Sequence, residues 1–287
     1  MITMSIPMKN ICSLVSIVML LSCGCQLPLN KTDTNFHGGI LVIAGGGSLP
    51  DSIYTAAIES SGGLDVPVLI IPQASRTTTA GPRNKEKFES LGCSAVKILD
   101  LSDEATALQS VNSSRLIWIS GGDQNRLMKR LPDSIEEAIR HCFERGGVIG
   151  GSSAGAAVMS SSMITGKANL EGVEAGATKI AEGLGLIPHA IIDQHFHKRQ
   201  RFNRLLSAVI DQPKLVGIGI DEGTAVVVQK NHLNVIGKSS VVVLDARGSE
   251  VSATNPGPQT DSESTQLLGA QGVRLHLLHD GMSFTFD

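Results

Sequence analysis

Gly151-Ser152-Ser153-Ala154-Gly155 fits the pattern G-x-S-x-G. In that pattern a strand ends, the chain turns sharply and a helix begins, so the central serine presents its hydroxyl as a nucleophile. The glycine spacing selects Ser153: Gly151 and Gly155 stand two residues to either side, and Ser152 falls in the variable position. The N–H of Ala154, at the start of the following helix, could donate to an oxyanion. The same five residues also suit a plain turn of small residues, so the chemistry needs partners elsewhere in the chain.

A serine nucleophile needs a base. His195 and His197 lie in "AIIDQHFHKRQRFNRLL", just after an apolar run. Asp193, His195 and His197 alternate and would share one face of an extended segment. That triplet also suits a metal ion, but no further ligands stand at supporting positions. Beyond it Phe202, Leu205, Leu206 and Val209 repeat at i, i+3, i+4, i+7 and predict a helix with that face buried. Its other face would carry Arg199, Arg201 and Arg204, either a solvated basic face or a guanidinium cluster for substrate carboxylates. An acid to orient the base is offered by Asp221 and Glu222 in "LVGIGIDEGTAVVV". One would point toward the site and its neighbour away, and the spacing does not choose between them.

The elements that must hold these residues are short apolar runs alternating with helical patterns. "GILVIAGGG", "VPVLIIPQAS", "AVKILDL", "RLIWISGGDQ" and "GVIGG" read as strands. "DSIYTAAIESSGG", with Asp51 as N-cap and Gly62 as stop, "RNKEKFESLGC" and "DSIEEAIRHCFERGG" read as helices. This alternation predicts βαβ units and a parallel sheet covered on both faces. Such sheets carry their sites at the carboxyl ends of the strands, here Gly45-Gly46-Gly47, Gln73-Ala74-Ser75, Gly121-Gly122-Asp123-Gln124 and Gly151-Ser152-Ser153. The last third predicts antiparallel strands, a polar surface loop over residues 249–266 and a closing hairpin around Asp280-Gly281. No linker or repeat interrupts residues 38–287, so one domain is expected there. The 287 residues carry a formal net charge of −3, which argues against a general nucleic-acid binder.

The amino terminus differs in kind. Residues 1–25 join Lys9 to the apolar run "ICSLVSIVMLLSCGC", the pattern of a secretory signal. "LLSC" resembles a bacterial lipobox, with Cys23 lipidated, or Cys25 as second candidate. Residues 26–37 read as a flexible tether. The expected product is an exported, membrane-anchored lipoprotein with Cys93 and Cys142 in its body, Cys142 as a buried free thiol.

In order and local sequence the chain resembles the cyanophycinase family of serine peptidases, relatives of peptidase E. The segments that carry this are "LVIAGGGSLPDSI", "ISGGDQNRLMKRL", "GGVIGGSSAGAAVMS", "GLGLIPHAIIDQHFHKRQRFNRLL" and "GIGIDEGTAVVV". The resemblance implies a flavodoxin-like three-layer α/β/α sandwich of the class I glutamine amidotransferase type, with C-terminal antiparallel strands. It implies Ser153 as nucleophile, His195 as base, Glu222 as acid, and the amides of Gly122 and Ala154 as oxyanion hole. Asp123, Gln124, Asp193, Arg199, Arg201 and Arg204 would line the substrate site. The implied reaction is hydrolysis of cyanophycin, an aspartate backbone with arginine on each side-chain carboxyl, to β-aspartyl-arginine dipeptides. No metal or organic cofactor is implied, and a homodimer is. The competing readings are an exported aspartyl or isoaspartyl dipeptidase, and a lipoprotein that binds acidic peptides without turnover.

Overall fold

The computed structural model describes residues 38–166, 172–253 and 266–286. The expected signal at 1–25, the tether at 26–37 and both lipidation candidates, Cys23 and Cys25, lie outside the described residues.

The first half alternates as its patterning predicts: β1 (Ile40–Ala44), α1 (Asp51–Ser61), β2 (Val68–Ile71), α2 (Ala80–Ser90), β3 (Val96–Ile98), α3 (Glu104–Ser113), β4 (Leu116–Ile119), α4 (Gln124–Arg130), α5 (Asp133–Glu144), β5 (Val148–Ser152) and α6 (Ala154–Ala157). Then follow β6 (Ser162–Ile164), β7 (Ile180–Glu182), β8 (Ala190–Gln194), α7 (Phe202–Asp211), β9 (Val216–Ile220), β10 (Thr224–Gln229), β11 (His232–Gly237) and β12 (Ser240–Asp245). The chain closes with β13 (Glu250–Ala253), β14 (Leu268–Gln271), β15 (Arg274–His279) and β16 (Ser283–Thr285).

The main sheet has eight strands in the order β16-β11-β10-β1-β5-β4-β2-β3. Strands β1, β5, β4, β2 and β3 run parallel, and β10, β11 and β16 extend the β1 edge antiparallel. Central strands are covered on both faces, which is why they read as unbroken apolar runs rather than alternating ones. One face, with Val42, Ile70 and Trp118, packs on Ile53 and Ala57 of α1 and Phe88 of α2. The other, with Ile43, Ile71 and Ile119, packs on Val111 of α3, Leu127 of α4 and Ile135 and Ile139 of α5.

A second sheet, β15-β12-β9-β8, joins that same core through Ile192, Ile218, Val241 and Val243. Its far face is closed by α7, whose Leu205, Ala208 and Val209 meet Ile191, Val242 and Leu244. The fold is the expected α/β class with a large, mostly parallel sheet.

Several local expectations are corrected. Pro50, not Asp51, is the N-cap of α1, and Asp51 sits in its first turn; Gly62 does end it, in the left-handed conformation. Residues 249–266 are not loop throughout, because Glu250–Ala253 pairs with Leu268–Gln271. The segments around Asp280-Gly281 do not pair with each other: β15 joins β12 and β16 joins β11, so the turn passes the chain between sheets. Phe202 is 40% exposed, so the buried face of α7 is rotated from the predicted one. Cys93 and Cys142 are buried free thiols.

Candidate active site

The end of β5 is built from glycines because two neighbours press on it. A Cβ on Gly150 would meet the Trp118 ring at 2.4 Å. One on Gly151 would meet the Gly155 carbonyl oxygen at 2.6 Å, and one on Gly155 the Ile119 carbonyl oxygen at 2.1 Å. The short helix α6 therefore lies backbone to backbone on β4 and β5, and both flanking glycines of the motif are steric requirements. Ser152 is the last strand residue, in register with Ala44. Ser153 makes the turn with φ 55° and ψ −109°, a conformation that costs a non-glycine residue about 1–3 kcal/mol. Surrounding bonds hold it there. Its N–H donates to Ala44 O at 3.0 Å, and its carbonyl accepts from the amides of Ala156 and Ala157, each at 3.0 Å.

His195 follows β8 and also has positive φ, 51°. Its Nε2 lies 2.8 Å from Ser153 Oγ, and its Nδ1 lies 2.7 Å from Glu222 Oε1. With Glu222 ionised, Nδ1–H donates to the carboxylate and Nε2 accepts the serine hydroxyl proton. Burial pulls His195 below the ordinary imidazole range; the Glu222 hydrogen bond opposes this, and the charges of Arg199 and Arg201 add to the lowering. This lowering favours the neutral imidazole, the form that a proton acceptor needs. The set can pass a proton from hydroxyl to imidazole and hold the imidazolium that forms.

Beside Ser153 runs the glycine turn after β4. A Cβ on Gly121 would stand 3.4 Å from Ser153 Cβ. Asp123 N–H donates to Ala74 O at 2.9 Å, which ties this turn to the loop after β2. Gly122, in this turn, and Ala154, the first residue of α6, carry the two amides expected to form the oxyanion hole.

The neighbouring acids divide their work. Glu222 faces His195, whereas Asp221 holds the turn beyond it: Oδ1 accepts the amides of His197 and Lys198 at 3.1 and 3.0 Å, and Oδ2 accepts Ser239 Oγ–H at 2.9 Å. Burial alone would raise the Asp221 carboxyl, but these donors outweigh it and hold it below its usual range.

The other expected site residues separate by placement. Arg199 is exposed, close enough for its charge to act on His195. Asp193 and Arg204, both expected to line the substrate site, are buried, their side chains 0% and 4% exposed. Arg204 Nε donates to Asp193 Oδ2 at 2.8 Å, its Nη2 reaches Oδ1, and its Nη1 donates to Gly166 O at 2.9 Å. Arg201 is 11% exposed and spends its Nη1 on Asp193 Oδ1, at 3.3 Å, and on both oxygens of Gln194. Burial pulls Arg201 down to about 10, with Asp193 opposing, which leaves it charged at neutral pH.

Asp123 caps α4, accepting the Arg126 amide at 3.0 Å, and Gln124 Nε2 donates to Ile164 O at 2.8 Å. Both residues are half-buried, directly after the glycine turn. The Asp193, His195, His197 triplet does not converge. Asp193 is engaged by arginines, His195 by Ser153 and Glu222, and His197 Nε2 by Ser240 Oγ at 2.9 Å. No group of three metal-ligating side chains occurs among the described residues.

Set beside known proteins, the chain falls in one class, the serine-type peptidases. A profile of peptidase family S51 matches residues 41–236, and the chain belongs to that family. It is 40% identical over 259 residues to the cyanophycinase of Geminocystis herdmanii (strain PCC 6308), covering 85% of this chain and 92% of the relative. It is 37% identical over 269 residues to the cyanophycinase of Synechococcus elongatus, covering 88% and 82%. The crystal structure of a peptidase from an acI-B1 Actinobacterium superposes with a TM-score of 0.62 at 24% identity, covering 87% of this chain and 97% of that one, and shares the fold.

Proposed function

We propose that this peptidase is an exported cyanophycinase that cleaves its substrate through Ser153, His195 and Glu222. The observation that carries the proposal is the unbroken hydrogen-bonded series Ser153 Oγ, His195 Nε2, His195 Nδ1, Glu222 Oε1, at 2.8 and 2.7 Å. Relatives at 37–40% identity that bear the name cyanophycinase support the substrate.

In this scheme Ser153 Oγ attacks the scissile carbonyl carbon while His195 Nε2 takes the hydroxyl proton. The amides of Gly122 and Ala154 receive the negative oxygen, and losing one such donor costs about 2.7–4 kcal/mol in other serine peptidases. His195 returns its proton to the leaving amine as the carbon–nitrogen bond breaks. Water, deprotonated by the same imidazole, then releases the acyl group and restores Ser153. Arg199, exposed at the rim, attracts the free α-carboxylates of the substrate's arginine branches, whose amide links take up the aspartate side-chain carboxyls. The product is a β-aspartyl-arginine dipeptide. Export as a lipoprotein through Cys23 or Cys25 and assembly as a homodimer complete the proposal.

The test is incubation of the purified protein with cyanophycin and, separately, with α- and β-aspartyl dipeptides, followed by mass analysis of the products. Release of β-aspartyl-arginine from cyanophycin is the expected result. Cleavage of the dipeptides alone would move the protein to the aspartyl dipeptidase reading, and no turnover of any of them would leave a binding lipoprotein.

A further inference from the structure

We infer that the turn Ala44-Gly45-Gly46-Gly47 is a template that sets all three members of the proposed triad, with Gly46 and Gly47 as positioning residues. The inference rests on the triad reading above. Strand β1 lies between β5, which leads to the serine, and β10, which follows the acid. Its end therefore meets segments that are far apart in sequence.

Successive carbonyls of this turn take the backbone of one triad segment each. Ala44 O accepts the Ser153 N–H at 3.0 Å, Gly45 O accepts the His195 N–H at 2.8 Å, and Gly46 O accepts the N–H of Gly223, next to Glu222, at 2.9 Å. Because neighbouring peptide units are covalently fixed, the spacing of the serine, histidine and acid backbones is set by one short piece of chain.

The side-chain positions of the same turn are occupied by the triad itself. A Cβ on Gly46 would stand 2.4 Å from His195 Cε1 and 2.6 Å from Nε2, the atom that faces the serine. A Cβ on Gly47 would stand 2.8 Å from Glu222 Cβ and 2.8 Å from Oε2. The imidazole cannot yield cheaply, because it is held by hydrogen bonds at both nitrogens. The two glycines thus form the floor on which the imidazole and carboxylate lie.

A rival explanation is that Gly46 is needed only for its φ of +105°. Gly63, at the end of α1, separates the two: its φ is +110°, yet an added Cβ meets nothing within 4 Å. Gly46→Ala and Gly63→Ala are made in the wild-type chain and again in a His195→Ala chain, and Tm and cyanophycin kcat/KM are measured. Since misplacing a catalytic group by 1 Å costs on the order of 100-fold, Gly46→Ala should lose at least about 100-fold in kcat/KM, chiefly in kcat, while Gly63→Ala stays within about threefold.

The readout that a purely structural role would not move is the coupling. With His195 cut to alanine the clash disappears, so the Tm loss from Gly46→Ala should shrink to that from Gly63→Ala. Equal Tm losses in both backgrounds would overturn the inference, as would a Gly46→Ala enzyme within threefold of wild type. If Gly46→Ala fails to fold, recovery of a folded protein in the His195→Ala chain supports the template, and failure there too overturns it. The Tm coupling needs no turnover, so a wrong substrate and a wrong template give different results.

Discussion

At the scale of single residues, the proposed mechanism turns on the state of His195, the base that would activate Ser153. Only a neutral imidazole can accept the serine proton, so in that mechanism kcat/KM should rise with pH as the free enzyme loses the imidazolium. Burial and the charges of Arg199 and Arg201 lower that transition, and the Glu222 hydrogen bond raises it. The acid limb of the profile should lie below the ordinary imidazole value of about 6.5. Arg199→Gln removes a cation that disfavours the imidazolium, so the limb should move to higher pH. A limb that stays in place, or moves down, would show that Arg199 does not act on the base.

The sequence made Ser153 legible because the glycines around it answer to backbone contacts, which leave a fixed spacing. It could not separate Asp221 from Glu222, since the alternation that sorts neighbours in a strand fails in the turn they occupy. It misplaced Asp193 for the same reason. His195 has positive φ, so the alternation stops at Gln194, and Asp193 points into the core instead of toward the histidine's partners.

At the scale of elements, Asp193, Arg201 and Arg204 fasten the end of β8 to the start of α7. The turn between them is closed by Arg199 N–H to His195 O and Arg201 N–H to Phe196 O, each at 3.0 Å. That turn puts Arg199 and Arg201 ahead of the helix, so the basic face expected from helical spacing does not form. Removing one partner of a buried ion pair costs about 3–5 kcal/mol. Asp193→Asn should therefore lower stability by an amount in that range, read from the denaturant midpoint. Unchanged stability with a raised KM would instead put Asp193 in contact with substrate.

Strand runs such as Val68–Ile71 and Leu116–Ile119 were readable because burial on both faces leaves only apolar side chains. Helix α3 escaped notice because it buries only Ala107 and Val111, too thin a stripe to show a period. The closing hairpin was misread because β15 and β16 each pair with a strand far back in the chain, information that no local window holds.

At the scale of the whole molecule, the two sheets meet where the candidate site is: Ser153 follows a strand of the main sheet, and His195 follows a strand of the second. The overall α/β class was legible from the alternation of elements, but the second sheet was not, since its strands look like those of the first. The proposed export belongs to this scale as well. If Cys23 carries the lipid, Cys23→Ser should release the protein from the membrane fraction of cells, and continued membrane attachment would direct attention to Cys25.

The central claim is that Ser153, and not its neighbour, is the nucleophile of a cyanophycin-cleaving peptidase. It is tested most directly by kcat/KM for release of β-aspartyl-arginine by the wild type, Ser153→Ala and Ser152→Ala. Loss of one member of a catalytic triad costs about 10⁴–10⁶-fold in a well-studied serine peptidase, so Ser153→Ala should lose at least about 10³-fold while Ser152→Ala keeps most of the activity. Equal losses from both, or an active Ser153→Ala enzyme, would contradict the account.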